Sequence, residues 1–290
     1  MRPLTHIVST VLAIPYQNFQ ALSEDMRSFV AFDQSETMAT RTRGGSYVPT
    51  TSKLTVMTYN IGAGLAPPLR LVEVLRESNA DIIGLQELAP EQGEAIATHL
   101  IAEYPHQVLH PTGIPGKGIL SRFPLQETSL LDLHPGRPDL QASVAAPGGD
   151  LTVIVAHPPP PRFGRNRLLQ TALANEQIAS ITAVASGGSP AVLLTDFNRV
   201  GWQAAVRQLR ESGLIDAFGT AGRGLGFTLP TRLSHLAYRG HPLGDMPLPP
   251  LLRVDYVWHT THFRATDSWI GPSAGSDHLP VLANLVRLKT

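Results

Sequence analysis

Short apolar runs recur along this chain, and one after another ends abruptly in a polar side chain. "LTVMTYN" (54 to 60) is apolar and β-branched until it closes on Asn60, and "IIGLQE" (82 to 87) closes on Glu87. "GILSRFP" (118 to 124) and "QASVAAP" (141 to 147) follow, and after Gly148 and Gly149 "LTVIVAH" (151 to 157) ends in His157. Later "AVLLTDFN" runs from Ala191 into Asp196 and Asn198, "RVDYVW" carries Asp255, and "HLPVLANLV" closes the series. Runs this short, bounded by Gly, Pro and Ser, predict buried strands rather than helices. Alternation along such a strand puts Asp196 and Asn198 on one side. Between the runs the spacing changes to that of helices. Pro67 and Pro68 suit a helix start ahead of Leu71, Val74 and Leu75. A longer helix is predicted from about Asn166 to Val184, with Leu169, Leu173, Ile181 and Val184 as its apolar stripe. Trp202, Val206 and Leu209 mark a third, stopped by Gly213. No internal repeat of fixed period is visible, and the alternation of strands and helices predicts an α/β fold.

Composition narrows the class. The 290 residues are 42% hydrophobic, enough to bury one large core. Lysine plus arginine equals aspartate plus glutamate at 23 each, so no global field draws the chain to nucleic acid or to an anionic surface. Cysteine is absent, which excludes disulfides, thiolate metal sites and a cysteine nucleophile and leaves the compartment open between cytoplasm and export. "HIVSTVLAI" (6 to 14) is far shorter than the roughly 20 residues of a membrane helix and stops at Pro15, so no stable span is expected; a signal peptide is the alternative reading. "QSETMATRTRGGSYVPTTSK" (34 to 53) reads as a linker. The expected organisation is a leader and polar linker over 1–52 and a catalytic domain over 53–290. Nothing in the sequence points to a protein partner.

Ligands of α/β sheets collect outside one set of strand ends, and here those ends carry Asn60, Glu87, His157, Asp196 with Asn198, and Asp255. A carboxylate beside an amide at the edge of a core is costly unless hydrogen bonds, a metal or a ligand compensate it. Carboxylates and amides without thiolates are hard oxygen donors, suited to Mg²⁺ or Mn²⁺.

The blocks "MTYNI", "DIIGLQE", "ILSRFP", "VAH", "TDFN", "RVDYV" and "SDHLPV" stand in the order of the endonuclease/exonuclease/phosphatase superfamily, which the chain resembles over roughly residues 53 to 288. "GFTLPTRL" with "LPPLLRVDYVWH" resembles a bacterial branch whose members often carry transmembrane helices ahead of the catalytic domain; a short leader stands there instead. The resemblance implies a deoxyribonuclease-I-like α/β fold, a four-layer sandwich of two packed mixed β-sheets flanked by helices. It implies a hydrolase acting on a phosphate-ester substrate with Mg²⁺ or Mn²⁺. Implied metal ligands are Glu87, Asn60 and Asp277, with Gly62 where relatives often carry an acid. Asp196 is implied as the base for the attacking water, Asn198 as its positioner, His278 as the phosphate-binding cation fixed by Asp255, and His157 as a phosphate or leaving-oxygen contact. Asp277 and His278, as neighbours on an extended chain, face opposite ways. Arg162 and Arg165, with Arg167, form a basic cluster after the four prolines and could grip substrate. Lys117 stands where relatives commonly have an amide and is a further candidate contact. The neutral charge and the apolar segment 233 to 252 favour a lipid-linked or small phosphodiester, with a nuclease as the alternative and a silent binding module as the reading from another class.

Overall fold

The computed structural model describes residues 52–160, 167–201, 203–232 and 246–288. The leader, Trp202 and most of the 233 to 252 segment lie outside these residues.

The first sheet is built around a crossover unit. β1 (Lys53–Asn60) leads through α1 (Pro68–Glu77) to β2 (Ile82–Gln86), which pairs with β1 in parallel. After α2 (Pro90–His99) come β3 (His106–His110) and β4 (Lys117–Ser121), and β4 lies antiparallel to both β2 and β3. The last strands, β11 (Phe263–Ile270) and β12 (Val281–Arg287), complete the six-stranded order β11-β12-β1-β2-β4-β3. The second sheet follows the same plan. β5 (Leu125–Leu131), β6 (Asp139–Ala146) and β7 (Gly149–Ala156) form a meander, and α3 (Arg167–Ala185) crosses to β8 (Ala191–Asp196), parallel to β7. α4 (Ala204–Glu211), β9 (Ile215–Asp216), α5 (Ala217–Ala221) and β10 (Asp255–His259) give the order β5-β6-β7-β8-β10-β9.

The two mixed sheets pack face to face with helices outside, the four-layer α/β sandwich that the sequence implied. Val56, Ile82 and Ile119 of the first sheet meet Val153, Val155, Leu194 and Val257 of the second in one core. The alternate residues turn outward: Met57, Tyr59 and Ile83 pack on Leu71, Val74 and Leu75 of α1, whereas Ile154, Leu193 and Trp258 pack on α3 and α4. Strands covered on both faces need apolar residues at every position, which is why β2 and β8 read as continuous runs. Gly84 permits the closest approach of the sheets. A Cβ there would stand 2.8 Å from Leu194 Cβ, too near for any side chain.

Two details differ from expectation. α3 buries Ala174, Gln177, Ile178, Ile181 and Ala185, while Leu169 and Val184 are exposed. Ile181 of the expected stripe faces the core, but Leu169 and Val184 do not, because alanines Ala174 and Ala185 let the helix pack close to the sheet. β10 begins only at Asp255, since Arg253 turns aside to form a bidentate pair with Asp216 at 3.1 and 2.8 Å.

Candidate active site

One end of the space between the sheets is polar. Register pairs Asn60 with Gln86 and Gln86 with Lys117, so these three share the inner face of the first sheet. Asp196 pairs with Asp255 on the second sheet. The rows are joined across the gap: Asn60 Nδ2 donates to Asp196 Oδ2 at 2.9 Å, and Gln86 Nε2 donates to the Leu194 carbonyl at 3.1 Å. Burying these amides and carboxylates is tolerable because most of their polar atoms satisfy one another, while Asp255 Oδ1 and His157 Nδ1 have no hydrogen-bond partner among the described residues.

Asp196 is the centre of this layer. Its Oδ1 accepts the Asn198 N–H at 2.8 Å, and its Oδ2 lies 3.4 Å from His157 Nε2 and 3.7 Å from His278 Nε2. Asn198 reaches Asp196 by a turn rather than by strand alternation, because the strand ends at Asp196 and Asn198 takes φ 51°, a left-handed conformation that asparagine tolerates. Its amide donates to the Pro158 carbonyl at 3.1 Å, tying the exits of β7 and β8 together. His278 Nδ1 lies 2.9 Å from Asp255 Oδ2.

The electrostatics divide these groups. Burial raises Asp196 to about 7, against the opposing pull of His278. Burial alone would lower His278, but the Asp255 and Asp196 carboxylates outweigh it and raise the imidazole to about 10. His157, buried and beside the charges of Lys117 and Arg137, titrates well below the usual histidine range and is neutral. One imidazolium and one imidazole therefore flank one carboxylate.

Glu87 adjoins this layer, its Oε1 3.7 Å from His157 Nε2, and Asp277 stands close enough for its charge to act on it. Glu87 follows β2 in a left-handed conformation, φ 56°, which is strained for a glutamate and keeps its side chain 22% exposed. Burial and then the Asp277 charge raise its carboxyl. Two mutually repelling acids beside the Asn60 amide are a donor set that a divalent cation would relieve, so these residues fit such an ion. Gly62 adds no ligand for a local reason: at φ +71° a Cβ would meet Leu65 at 2.9 Å and Asp277 Oδ1 at 3.2 Å. Among the described residues the group whose ligand atoms converge within 4.8 Å is Asp196, Asp255 and His278. That trio is closed by its own hydrogen bond, with His278 Nδ1 turned to Asp255, whereas Glu87 opens outward.

Lys117 lies in the polar layer, buried, at the inner end of β4. Arg162 and Arg165 lie outside the described residues. Two contributors were given no role from the sequence. Asp139 opens β6 and accepts the His157 N–H at 3.1 Å and the Gln177 amide at 2.7 Å, fixing the end of β7. Ser276 donates to the Asn60 carbonyl at 2.7 Å and accepts the His278 N–H at 3.1 Å. Its place in "GSDH" was the available hint.

A model of the Endonuclease/Exonuclease/phosphatase family matches residues 57–278. Similar solved structures include an endonuclease/exonuclease/phosphatase from Beutenbergia cavernae DSM 12333, with TM-score 0.62 and 23% identity over 81% of this chain and 72% of that one. A humanised D. rerio TDP2 gives TM-score 0.62 and 17% identity over 80% and 98% of the two chains. A beta toxin from Staphylococcus aureus gives 0.61 and 15% over 79% and 99%. Comparison with curated proteins gives no match.

Proposed function

The chain belongs to the endonuclease/exonuclease/phosphatase family, and on that premise we propose that it hydrolyses a phosphate ester with a divalent cation, Mg²⁺ or Mn²⁺. The observation that carries this reading is the buried Asp196 carboxylate, held by Asn60 and Asn198 and flanked by the His157 and His278 imidazoles at 3.4 and 3.7 Å.

Glu87 and Asp277, with Asn60 beside them, would hold the cation, which would supply charge neutralisation at the phosphate. Asp196 accepts the proton of the attacking water at a carboxylate oxygen, and its raised pKa makes it a competent base near neutrality. The Asn198 amide orients that water or a phosphate oxygen. His278, kept protonated by Asp255, presents Nε2–H to the scissile phosphate, and Asp255 holds the Nδ1–H. Neutral His157 contacts the phosphate or the leaving oxygen. Two facing groups of opposite polarity thus bracket the place where charge develops.

A lipid-linked or small phosphodiester suits the site's surroundings better than DNA. The chain is neutral, and Leu65, Ile114, Leu168 and Met246 expose apolar surface on segments that lead to or from this end of the sheets. Among the described residues no helix is long and apolar enough to cross a membrane. The test is hydrolysis of bis-p-nitrophenyl phosphate, a phospholipid and plasmid DNA side by side with Mg²⁺, Mn²⁺ or chelator. Hydrolysis that needs the cation, with DNA the slowest substrate, is expected. Full turnover after exhaustive chelation contradicts the mechanism, and DNA as the fastest substrate reverses the preference.

A further inference from the structure

Lys117 is a buried charged group of the polar layer that the mechanism above leaves unused. Its side chain is 1% exposed, and its register partner Gln86 places it on the inner face, beside the strand that delivers Glu87. An ammonium carries three donors. Here one is used, in a 2.9 Å bond from Nζ to the Pro115 carbonyl, and no carboxylate among the described residues stands within the 4.0 Å of an ion pair. Asp139, the acid whose charge acts on it most, has its oxygens engaged by the His157 N–H and the Gln177 amide. A buried cation with two donors open is costly unless an anion arrives to complete it.

We propose that Lys117 forms a subsite for a second phosphate group of the substrate, next to the scissile phosphate and on the side away from Asp255 and His278. The inference rests on the phosphoesterase reading and specifies its substrate class: a small phosphodiester that carries a neighbouring phosphate. The placement follows from the sheet. β4 lies beside β2, so Lys117 stands about one strand spacing, ~4.8 Å, from the β2 row that leads to Glu87. Arg137, two residues ahead of Asp139, adds positive potential on this side, and its charge acts on Lys117, Glu87 and His157. The opposite side of the site holds the Asp255 and Asp277 carboxylates, which would repel a second anion. Asp255 is already paired with His278 and Asp139 is engaged by the His157 N–H and Gln177, so the charge left without an anionic partner is the Lys117 ammonium, and it orients a doubly charged substrate. The same environment pushes the ammonium down to about 8, with burial the chief cause, and a bound phosphate would reverse that shift.

The test compares thymidine dinucleotides with and without a terminal phosphate, at either the 5′ or the 3′ end, on the full chain with Mn²⁺. The wild type should favour one phosphorylated form by roughly tenfold or more in kcat/KM, the value of one charge-assisted hydrogen bond. In Lys117→Met this ratio should collapse towards unity, with the loss in KM for the phosphorylated form. A ratio that survives in the variant, or its absence in the wild type, overturns the proposal. Should the wild type cleave neither dinucleotide, the subsite is judged by calorimetric titration of the metal-free chain with inorganic phosphate, and the phosphoesterase reading itself fails only if bis-p-nitrophenyl phosphate and phospholipid also go unhydrolysed. Binding weakened about tenfold by Lys117→Met is then expected, and equal binding, or none in the wild type, overturns the subsite. Removing an incompletely satisfied charge should leave Tm equal or higher. A marked fall in Tm shows Lys117 to be a structural residue and equally overturns the proposal.

Discussion

The two sheets share a plan and differ in what they place at its end. Each has a central parallel pair joined by a helix, with antiparallel strands on both sides, and "LTV" opens the corresponding part of both β1 and β7. Matching the registers sets Asn60 against His157, Gln86 against Asp196, and Lys117 against Asp255. The first sheet thus ends in amides and one cation, with its carboxylate, Glu87, displaced one residue beyond the strand and partly open to solvent. The second ends in carboxylates within the strands, sealed from solvent and faced by histidines. Equal positions in a repeated architecture have been given unequal chemistry: the first sheet is suited to receive a cation and anions from outside, the second to move protons inside.

The comparison is broken most severely at Asp196. Asp196→Asn keeps shape and hydrogen-bonding capacity but removes the proposed base, and turnover of bis-p-nitrophenyl phosphate should fall by about 10³-fold, within the range for a positioned general base. A loss below tenfold would show that the carboxylate is structural. Next comes the pH profile. Activity should need Asp196 ionised and His278 protonated, so it should rise through about pH 7 and fall through about 10, with the acid limb drawn lower when a cation is bound. Asp255 raises the His278 pKa, so Asp255→Asn should move the basic limb to lower pH and cost about 10² in rate. An unmoved basic limb contradicts the dyad.

The smallest effect concerns stability at Lys117. Its folded pKa, about 8, lies below the ordinary 10.5, so between these values the unfolded chain binds more protons than the folded one. Wild-type stability should therefore rise with pH across that window relative to Lys117→Met, by an amount on the order of 3 kcal/mol. Denaturant midpoints of the two proteins at pH 7.5 and pH 10.5 measure it, and parallel curves would mean that the ammonium is better satisfied than its contacts indicate.

Legibility in the sequence follows burial. Central strands such as β2 and β8 are wholly buried, so their apolar runs and polar ends stand out. β5 is exposed along its length and β3 half-buried, and neither shows a run or an alternation; β11 is bulged between Ala265 and Asp267, which breaks its period. Glu87, Asp196 and His278 are marked by their neighbours in the chain. Asp139 is not, and Ser276 stands in the block that marks His278 without showing its role, because their work is tertiary: Ser276 bonds the Asn60 carbonyl across 216 residues of sequence. The kinship of the two sheets is hidden for a similar reason, since the spacing of equivalent residues grows from Asn60 and His157 to Lys117 and Asp255 and leaves no fixed period.

The division of labour between the two sheets is tested most directly by calorimetric titration of Mn²⁺ into the wild type, Glu87→Gln and Asp196→Asn. Cation binding belongs to the first sheet in this account. Glu87→Gln should therefore weaken binding by about tenfold or more, as loss of a charged ligand does, while Asp196→Asn changes it by less than about threefold. The reverse outcome, binding lost in Asp196→Asn and kept in Glu87→Gln, would place the cation among Asp196, Asp255 and His278 and contradict the account.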